Sequence, residues 1–160
     1  TILDNWADMK LERPELTLTI ACPPYASDWD TGLIEQDGIE YLGALSPKRL
    51  KEEQLKAEYW IYQSEYLETY CITGVEMMLS NTKLLTNGTG NIKNIVGNGD
   101  RGMIIDNNPA TIKETLMRDV NDRSFAREWS NKTIVAREWA IKQTWDNRVN
   151  EWITLINNIG

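Results

Sequence analysis

The sequence contains no histidine, two cysteines and a single phenylalanine. Without histidine, the chain cannot form Ser-His-Asp or Cys-His catalytic arrangements, an H-E-x-x-H zinc site or a histidine general base. Cys22 and Cys71 are too few for a disulfide framework and lack the C-x-x-C spacing of zinc and redox sites, so we expect both to be small core residues. Any catalysis must therefore use carboxylates, hydroxyls, backbone amides or basic side chains.

Long apolar runs and an excess of basic residues are also missing. No stretch approaches the ~20 apolar residues of a membrane span, and no basic segment followed by an apolar one opens the chain, so we expect a cytoplasmic protein. With 24 acidic and 17 basic residues the net charge is −7, which disfavours nucleic acid and membrane surfaces as partners. The length of 160 residues and the apolar content of 41% suit one domain spanning residues 1–160.

Short β-rich runs alternate with helix signals along the first two thirds of the chain. The runs are residues 16–22, 39–42, 59–62, 83–86 and 102–105. The gaps between them accommodate a helix and two loops, which predicts βαβ units. Ser46-Pro47 and Asn108-Pro109 are typical helix starts, and one helical turn is expected around Leu33. The predicted fold is α/β: a Rossmann-like, three-layer domain with about five parallel strands.

After Pro109 the chain has the pattern of helices to its end. The last helix carries an apolar stripe of helical period formed by Trp145, Val149, Trp152, Ile153 and Ile156. Two interpretations stay open. The stripe either packs on its own domain, or part of it contacts something outside the chain, in which case we expect an exposed apolar patch or self-association.

An acidic turn at residues 64–69 follows the third β-rich run, at the end of a strand where open parallel sheets bind ligands. Glu68 lies in this turn, and Thr69 is the expected N-cap of the helix that follows. The free amides of that first helical turn could hold a diphosphate. They would be those of Tyr70, Cys71 and Ile72.

Glu76 would lie about one turn inside this helix, roughly 6 Å along its axis. That is close to the distance between the phosphates and the ribose hydroxyls of a nucleotide, and a carboxylate there can accept from both hydroxyls. The alternative is that Glu68 complements the helix dipole and Glu76 is only solvated. The glycine-rich turn at 86–91 fits neither the Walker pattern nor G-x-G-x-x-G.

Three stretches, 68–78, 83–90 and 97–105, resemble the C-terminal, donor-binding half of GT-B glycosyltransferases of the retaining, group 1 (family 4) type. The shared pattern is a glutamate, seven residues and a second glutamate, followed by a strand and a glycine-rich turn. The resemblance implies transfer of a sugar from a nucleoside diphosphate-sugar to an acceptor, without a metal or further cofactor. It assigns Glu68 to catalysis beside the donor sugar and Glu76 to the ribose hydroxyls. The remaining implied donor-binding residues are Thr69, Tyr70, Cys71, Ile72, Gly43 and Leu45.

The family also has a first strand bearing an Arg and a Lys, and an acceptor-binding domain before it, which we do not find in this sequence. We therefore expect a weak donor site, no sugar transfer by this chain alone, and a separate N-terminal half as partner. The chain also departs from the family at Asn81, in place of a glycine, but asparagine tolerates the left-handed conformation that a helix end needs. The alternatives are a non-catalytic sugar-nucleotide-binding or interaction module, and a nucleotide-sugar epimerase, which the lack of histidine disfavours.

Overall fold

The computed structural model describes residues 2–23 and 31–159, and it has the predicted α/β architecture with parallel strands. The strands are β1 (Leu18–Ile20), β2 (Ile39–Tyr41), β3 (Tyr59–Tyr62), β4 (Lys83–Thr86) and β5 (Met103–Ile104). The helices are α1 (Trp6–Glu12), α2 (Thr31–Ile34), α3 (Pro47–Gln54), α4 (Ile72–Leu79), α5 (Ile92–Ile95), α6 (Pro109–Asn121), α7 (Arg123–Ala140) and α8 (Trp145–Ile159). Two 3₁₀ turns, Ile2–Asn5 and Gly97–Gly99, complete the order.

The strands form two parallel sheets rather than one. In the first, β1 pairs with β2, with Leu18 opposite Ile39. In the second the order is β3-β4-β5, with Trp60 opposite Leu84. The five predicted strands are confirmed, but β1, β2 and β5 are shorter than the β-rich runs suggested.

The second sheet is covered on both faces, which gives three layers. Trp60 and Leu84 face a core built with α4 and α5, in which Val75, Met78 and Ile92 are buried. The alternate residues, Ile61 and Leu85, face a second core built with α1, α6 and the first half of α7. Its buried members include Met9, Ile112, Leu116, Phe125 and Trp129. The strict alternation follows from the period of two in a strand.

The predicted helix starts are confirmed by their caps. Ser46 Oγ accepts from the Arg49 amide at 3.4 Å, and Asn108 Oδ1 accepts from the Ala110 amide at 2.9 Å. The helical turn expected around Leu33 is α2. The rest of that expected loop includes residues 24–30, which lie outside the described residues.

The C-terminal helix α8 is exposed along its length except at Arg148, which is half-buried. None of its described side chains is buried, and Trp145 and Trp152 are 85% and 64% exposed. The prediction that this stripe packs on its own domain is therefore wrong. Trp139, at the end of α7, is half-buried, and the Arg101 guanidinium lies 4.4 Å from the centre of its ring. No helix in the described part of the chain is both long and apolar enough to cross a membrane.

Candidate functional site

The acidic turn after β3 is held by hydrogen bonds to the glycine-rich turn after β4. Asn87 Nδ2 donates to the Ser64 carbonyl at 2.7 Å, and the Asn91 amide donates to the Glu68 carbonyl at 2.8 Å. Gly90 has a φ of +67°, and a Cβ there would lie 2.5 Å from the Glu68 nitrogen. The absence of a side chain at Gly90 therefore lets the backbone of Glu68 approach this turn closely.

The carboxylate of Glu68 is half-buried and held by a tyrosine. The Tyr62 hydroxyl donates to Glu68 Oε1, and the Tyr62 ring stacks on Trp60 with 4.9 Å between centroids. Burial, and then the hydrogen bond to Glu68, raise the pKa of Tyr62 to about 12. Tyr62 is therefore a neutral donor at physiological pH, and it orients the carboxylate without neutralising its charge.

The helix α4 begins at Ile72 with Cys71 as N-cap, so the prediction that Thr69 caps it is wrong. The backbone of Glu68 is bridged to Gly90, which keeps the chain extended and delays the helix. The amides at the helix start that have no partner within the helix are accordingly those of Ile72, Thr73 and Gly74, and the Gly74 amide donates to the Cys71 thiol. Of the predicted phosphate-binding positions, Ile72 lies in the first turn and Cys71 at its edge. Thr69 and Tyr70 precede the helix and are exposed.

The two cysteines differ in environment. Cys71 is buried in the core under α4, as expected, and burial raises the pKa of its thiol. Cys22 is only half-buried, so the prediction that it is a core residue is wrong. It lies two residues after β1, and its carbonyl accepts from the Tyr41 hydroxyl at 3.0 Å, so its backbone rather than its thiol contributes to the fold.

Glu76 lies four residues beyond the start of α4, about 6 Å along the helix axis. Its Oε2 accepts from Gln54 Nε2 at 3.0 Å, and Gln54 is buried at the end of α3. Gly74 allows α4 to approach the sheet, because a Cβ there would lie 3.4 Å from the Trp60 ring. Glu76 is half-buried, and like Glu68 it accepts a hydrogen bond from an uncharged donor, here Gln54.

Gly43 and Leu45 follow β2, in the other sheet. Gly43 has a φ of +64° with open space where a Cβ would lie, and Leu45 is half-buried. Within residues 2–23 and 31–159, no hydrogen bond joins either residue to Glu68 or Glu76. In the same part of the chain, no three Cys, Asp or Glu side chains are grouped closely enough to hold a metal ion.

Three contributors to this site were missed by sequence reasoning: Tyr62, Gln54 and Asn87. Tyr62 ends a strand and therefore had a detectable signal, since residues at the carboxyl ends of parallel strands line ligand sites. The sequence contained no such indication for Gln54 and Asn87, because each is hydrogen-bonded to a residue more than twenty positions away.

Comparison with known proteins now identifies the family. The profile of the family described as "Glycosyl transferases group 1" matches residues 2–135. The chain belongs to the group 1 glycosyltransferases. This confirms the resemblance that the two glutamates and the surrounding turns suggested.

Solved structures agree in fold. A chain of the structure titled "Crystal structure of GtfA/B complex" superposes with a TM-score of 0.73 at 18% identity, covering 99% of this chain and 32% of that one. Sucrose-phosphate synthase from Thermosynechococcus elongatus superposes with a TM-score of 0.70 at 16% identity, covering 98% of this chain and 42% of that one. The group 1 domain thus spans less than half the length of either protein. A search among curated protein sequences gives no significant match.

Proposed function

We propose that this group 1 domain binds the nucleoside diphosphate-sugar donor of a retaining sugar transfer at the carboxyl ends of β3 and β4. In this assignment Glu76 accepts from the ribose hydroxyls and Glu68 lies beside the donor sugar. The observation that supports it is the way the two carboxylates are held. Each has one oxygen fixed by a neutral donor, Tyr62 or Gln54.

The alternative, in which the glutamates only complement a dipole, does not require these contacts. A solvated glutamate needs no buried amide or stacked tyrosine to orient it, and fixing a side chain costs rotamer entropy. Glu65, in the same turn, illustrates the ordinary case because it is exposed. In the contacts among residues 2–23 and 31–159, the second oxygen of Glu68 and of Glu76 has no hydrogen-bond partner, which leaves it available to a hydroxyl donor.

The diphosphate would lie at the start of α4. Amides at a helix start and the helix dipole favour an anion by about 0.3–2 kcal/mol, so we expect modest affinity unless cations from outside these residues contribute. In the proposed enzyme a second domain binds the acceptor and closes the cleft. The chain alone should then bind the donor without transferring its sugar, since proximity to an acceptor is lost.

A non-catalytic interaction module is the second candidate, and the exposed apolar stripe of α8 favours it. The two candidates differ in one measurable respect. Mixing the chain with a separately produced acceptor-binding half should give sugar transfer if the domain belongs to an enzyme, and none if it is only an interaction module.

Isothermal titration calorimetry with ADP, GDP, UDP and their glucose conjugates tests the donor site. Glu76→Ala should weaken binding of the preferred nucleoside diphosphate by about 1.5–3 kcal/mol, the usual contribution of hydrogen bonds to a charged group. Glu68→Ala should leave that affinity nearly intact and reduce only the additional affinity gained with the attached sugar. Glu65→Ala is the matched control, an exposed acid in the same turn, and should change neither.

Two results would contradict the assignment. Equal losses of nucleoside diphosphate affinity in Glu68→Ala and Glu76→Ala would mean that the ends of the site are assigned wrongly. No loss in either variant, with measurable binding by the unaltered chain, would leave both glutamates as structural side chains.

A further inference from the structure

The helix α8 directs polar side chains toward its own domain and apolar side chains toward solvent. A groove separates it from the end of α7, and Asn147, Asn150 and Thr154 line that groove on the α8 side. Asn147 Nδ2 donates to the Lys142 carbonyl at 2.7 Å, which fixes the start of the helix. The helix is therefore anchored through its polar side, and the described residues leave its apolar side uncovered.

The apolar side of α8 contains a seam with the spacing of a coiled coil. Its members follow one another at intervals of four, three, four and three residues, and they are Trp145, Val149, Trp152, Ile156 and Ile159. In the heptad repeat, Val149 and Ile156 then occupy the a positions, and the other three residues occupy the d positions. A β-branched residue at each a position is typical of paired helices.

The exposed area of this side is sufficient for a stable pair. Trp145 and Trp152 are 85% and 64% exposed, and each aliphatic residue of the seam is at least half exposed. Together with the neighbouring Ile153 and Leu155, one copy offers roughly 600–700 Å² of apolar surface. Two copies would bury roughly 1,200–1,400 Å², which is at the lower end of the range for stable interfaces.

The charges of α8 favour a protein surface over a lipid surface as its partner. Helices that lie on a membrane carry several lysines or arginines on their polar side. The only basic residue of α8 is Arg148, and its guanidinium is paired with Glu151 at 2.8 Å. The net charge of −7 also disfavours anionic lipid. The seam itself carries no charge, so two copies of it can meet without repulsion.

An antiparallel arrangement matches the side chains of two seams by size. In such a pair the a residues of one helix pack against the d residues of the other, so Trp145 faces Ile156 of the second copy and Trp152 faces Val149 of the second copy. A parallel pair would stack tryptophan on tryptophan and valine on valine, which gives layers of unequal volume. The antiparallel order also places the two helix dipoles in opposition.

We propose that the seam of α8 is the interface of a symmetric homodimer in which the α8 helices of two copies pair antiparallel. Such an interface uses the same surface on both copies and closes on itself, so association stops at two. The proposal does not depend on donor binding, because none of the residues assigned to the donor lies in α8.

Sedimentation velocity from about 1 to 300 µM measures the association, and we expect a monomer that becomes a dimer with a micromolar dissociation constant. Trp152→Glu should weaken the dimer by about thirtyfold or more, because it places a charge in the seam. This variant should still fold, since Trp152 is exposed in a single copy, and circular dichroism verifies it. Asn150→Glu is the matched control: it adds the same charge on the groove side and should change the dissociation constant by less than about twofold.

Two further substitutions test the direction of the helices. Trp145→Glu and Ile156→Lys should each weaken the dimer by about tenfold or more when made alone. Within one helix the two positions lie about 16 Å apart, beyond the reach of a direct ion pair. In an antiparallel pair the introduced acid of one copy faces the introduced base of the other, so the double variant should associate about fivefold more tightly than either single variant.

Four results would overturn the proposal. The first is a monomer throughout the concentration range, and the second is a dimer that Trp152→Glu does not weaken, which would place the interface elsewhere. The third is a stripe that is covered instead by a separately produced acceptor-binding half, with loss of the dimer on mixing. The fourth is binding to phosphatidylcholine vesicles that Trp152→Glu abolishes, which would assign the stripe to lipid. A double variant that associates more weakly than both single variants would contradict the antiparallel arrangement.

Discussion

The strand β3 carries a tyrosine–carboxylate pair at each end, and the two pairs have different surroundings. At its start, the Tyr59 hydroxyl donates to Asp119 Oδ2 at 2.5 Å, and Lys83 Nζ contacts the same oxygen at 2.5 Å. The Asp119 side chain is 2% exposed. At its end, the Tyr62 hydroxyl donates to Glu68, which is half-buried, and no cation is paired with that carboxylate among the described residues.

The difference shows what distinguishes a structural carboxylate from one suited to a ligand. Burying an ion costs several kcal/mol unless an opposite charge compensates it, and Lys83 provides that charge for Asp119. Glu68 keeps its charge unneutralised and is only oriented, at the edge of the sheet where open α/β proteins bind ligands. Chemically similar pairs therefore serve stability at one end of β3 and, in our proposal, donor recognition at the other.

The largest expected effect is at the buried end. Asp119→Ala leaves Lys83 without its close partner and Tyr59 without its acceptor, so we expect a loss of about 3–5 kcal/mol in the free energy of unfolding. Urea denaturation measures it. Glu114→Ala, an exposed acid on the same helix α6, is the control and should change stability by less than about 0.5 kcal/mol. A loss below about 1 kcal/mol for Asp119→Ala would mean that the buried pair is not a stabilising element.

The features predicted correctly from the sequence depend on neighbouring residues. Ser46 and Asn108 cap helices through amides two or three positions away. Asn81 adopts a φ of 60° at the end of α4, and the amides of Asn81 and Thr82 donate back to Met78 and Met77 as in a Schellman motif. These interactions were predictable because each one joins residues only a few positions apart, so the local sequence is enough to recognise it.

The features that were missed depend on distant residues. Asp119 lies 36 positions from Lys83 and 60 from Tyr59, so no local pattern connects the three. The cap of α4 was misplaced for the same reason: the extended bridge between Glu68 and Gly90 overrides the capping preference of Thr69. The exposed stripe of α8 was recognised, but its periodicity could not show whether the domain covers it.

A smaller loss of stability is expected when Gly90, which contacts the Glu68 backbone after the carboxyl end of β3, is replaced. Gly90→Ala combines a positive φ, which costs about 1–2 kcal/mol, with a Cβ 2.5 Å from the Glu68 backbone, so we expect a loss of about 2–4 kcal/mol once overpacking is added. Gly43→Ala has a similar φ of +64° but open space, and should lose only the conformational part.

Urea denaturation compares these two glycine variants, and calorimetry with a nucleoside diphosphate-sugar measures whether the Glu68 turn is displaced. Equal destabilisation by Gly90→Ala and Gly43→Ala would show that the turn containing Glu68 moves to accommodate the added methyl group at no further cost. In that case Gly90 would not hold Glu68 in place.

The smallest effect is a change in the titration of Tyr62, and it tests whether the pair at the open end exists in solution. Burial is the first cause of the raised pKa of about 12, and the hydrogen bond to Glu68 is the second. Glu68→Gln should therefore lower the pKa of Tyr62 while leaving it above the ordinary value near 10. Tyrosinate absorbance, with Tyr62→Phe to assign the transition, measures the change, and Glu65→Gln should leave it unaltered.

The folded-state pKa of Tyr62 lies above that of the unfolded chain, so the contribution of Tyr62 to stability is complete below about pH 10 and is lost as the pH rises through about 12. Urea midpoints of the unaltered protein should accordingly fall more steeply across that interval than those of Tyr62→Phe. An unchanged transition in Glu68→Gln would mean that Tyr62 and Glu68 are not hydrogen-bonded, and that the carboxylate is as mobile as its exposed neighbour Glu65.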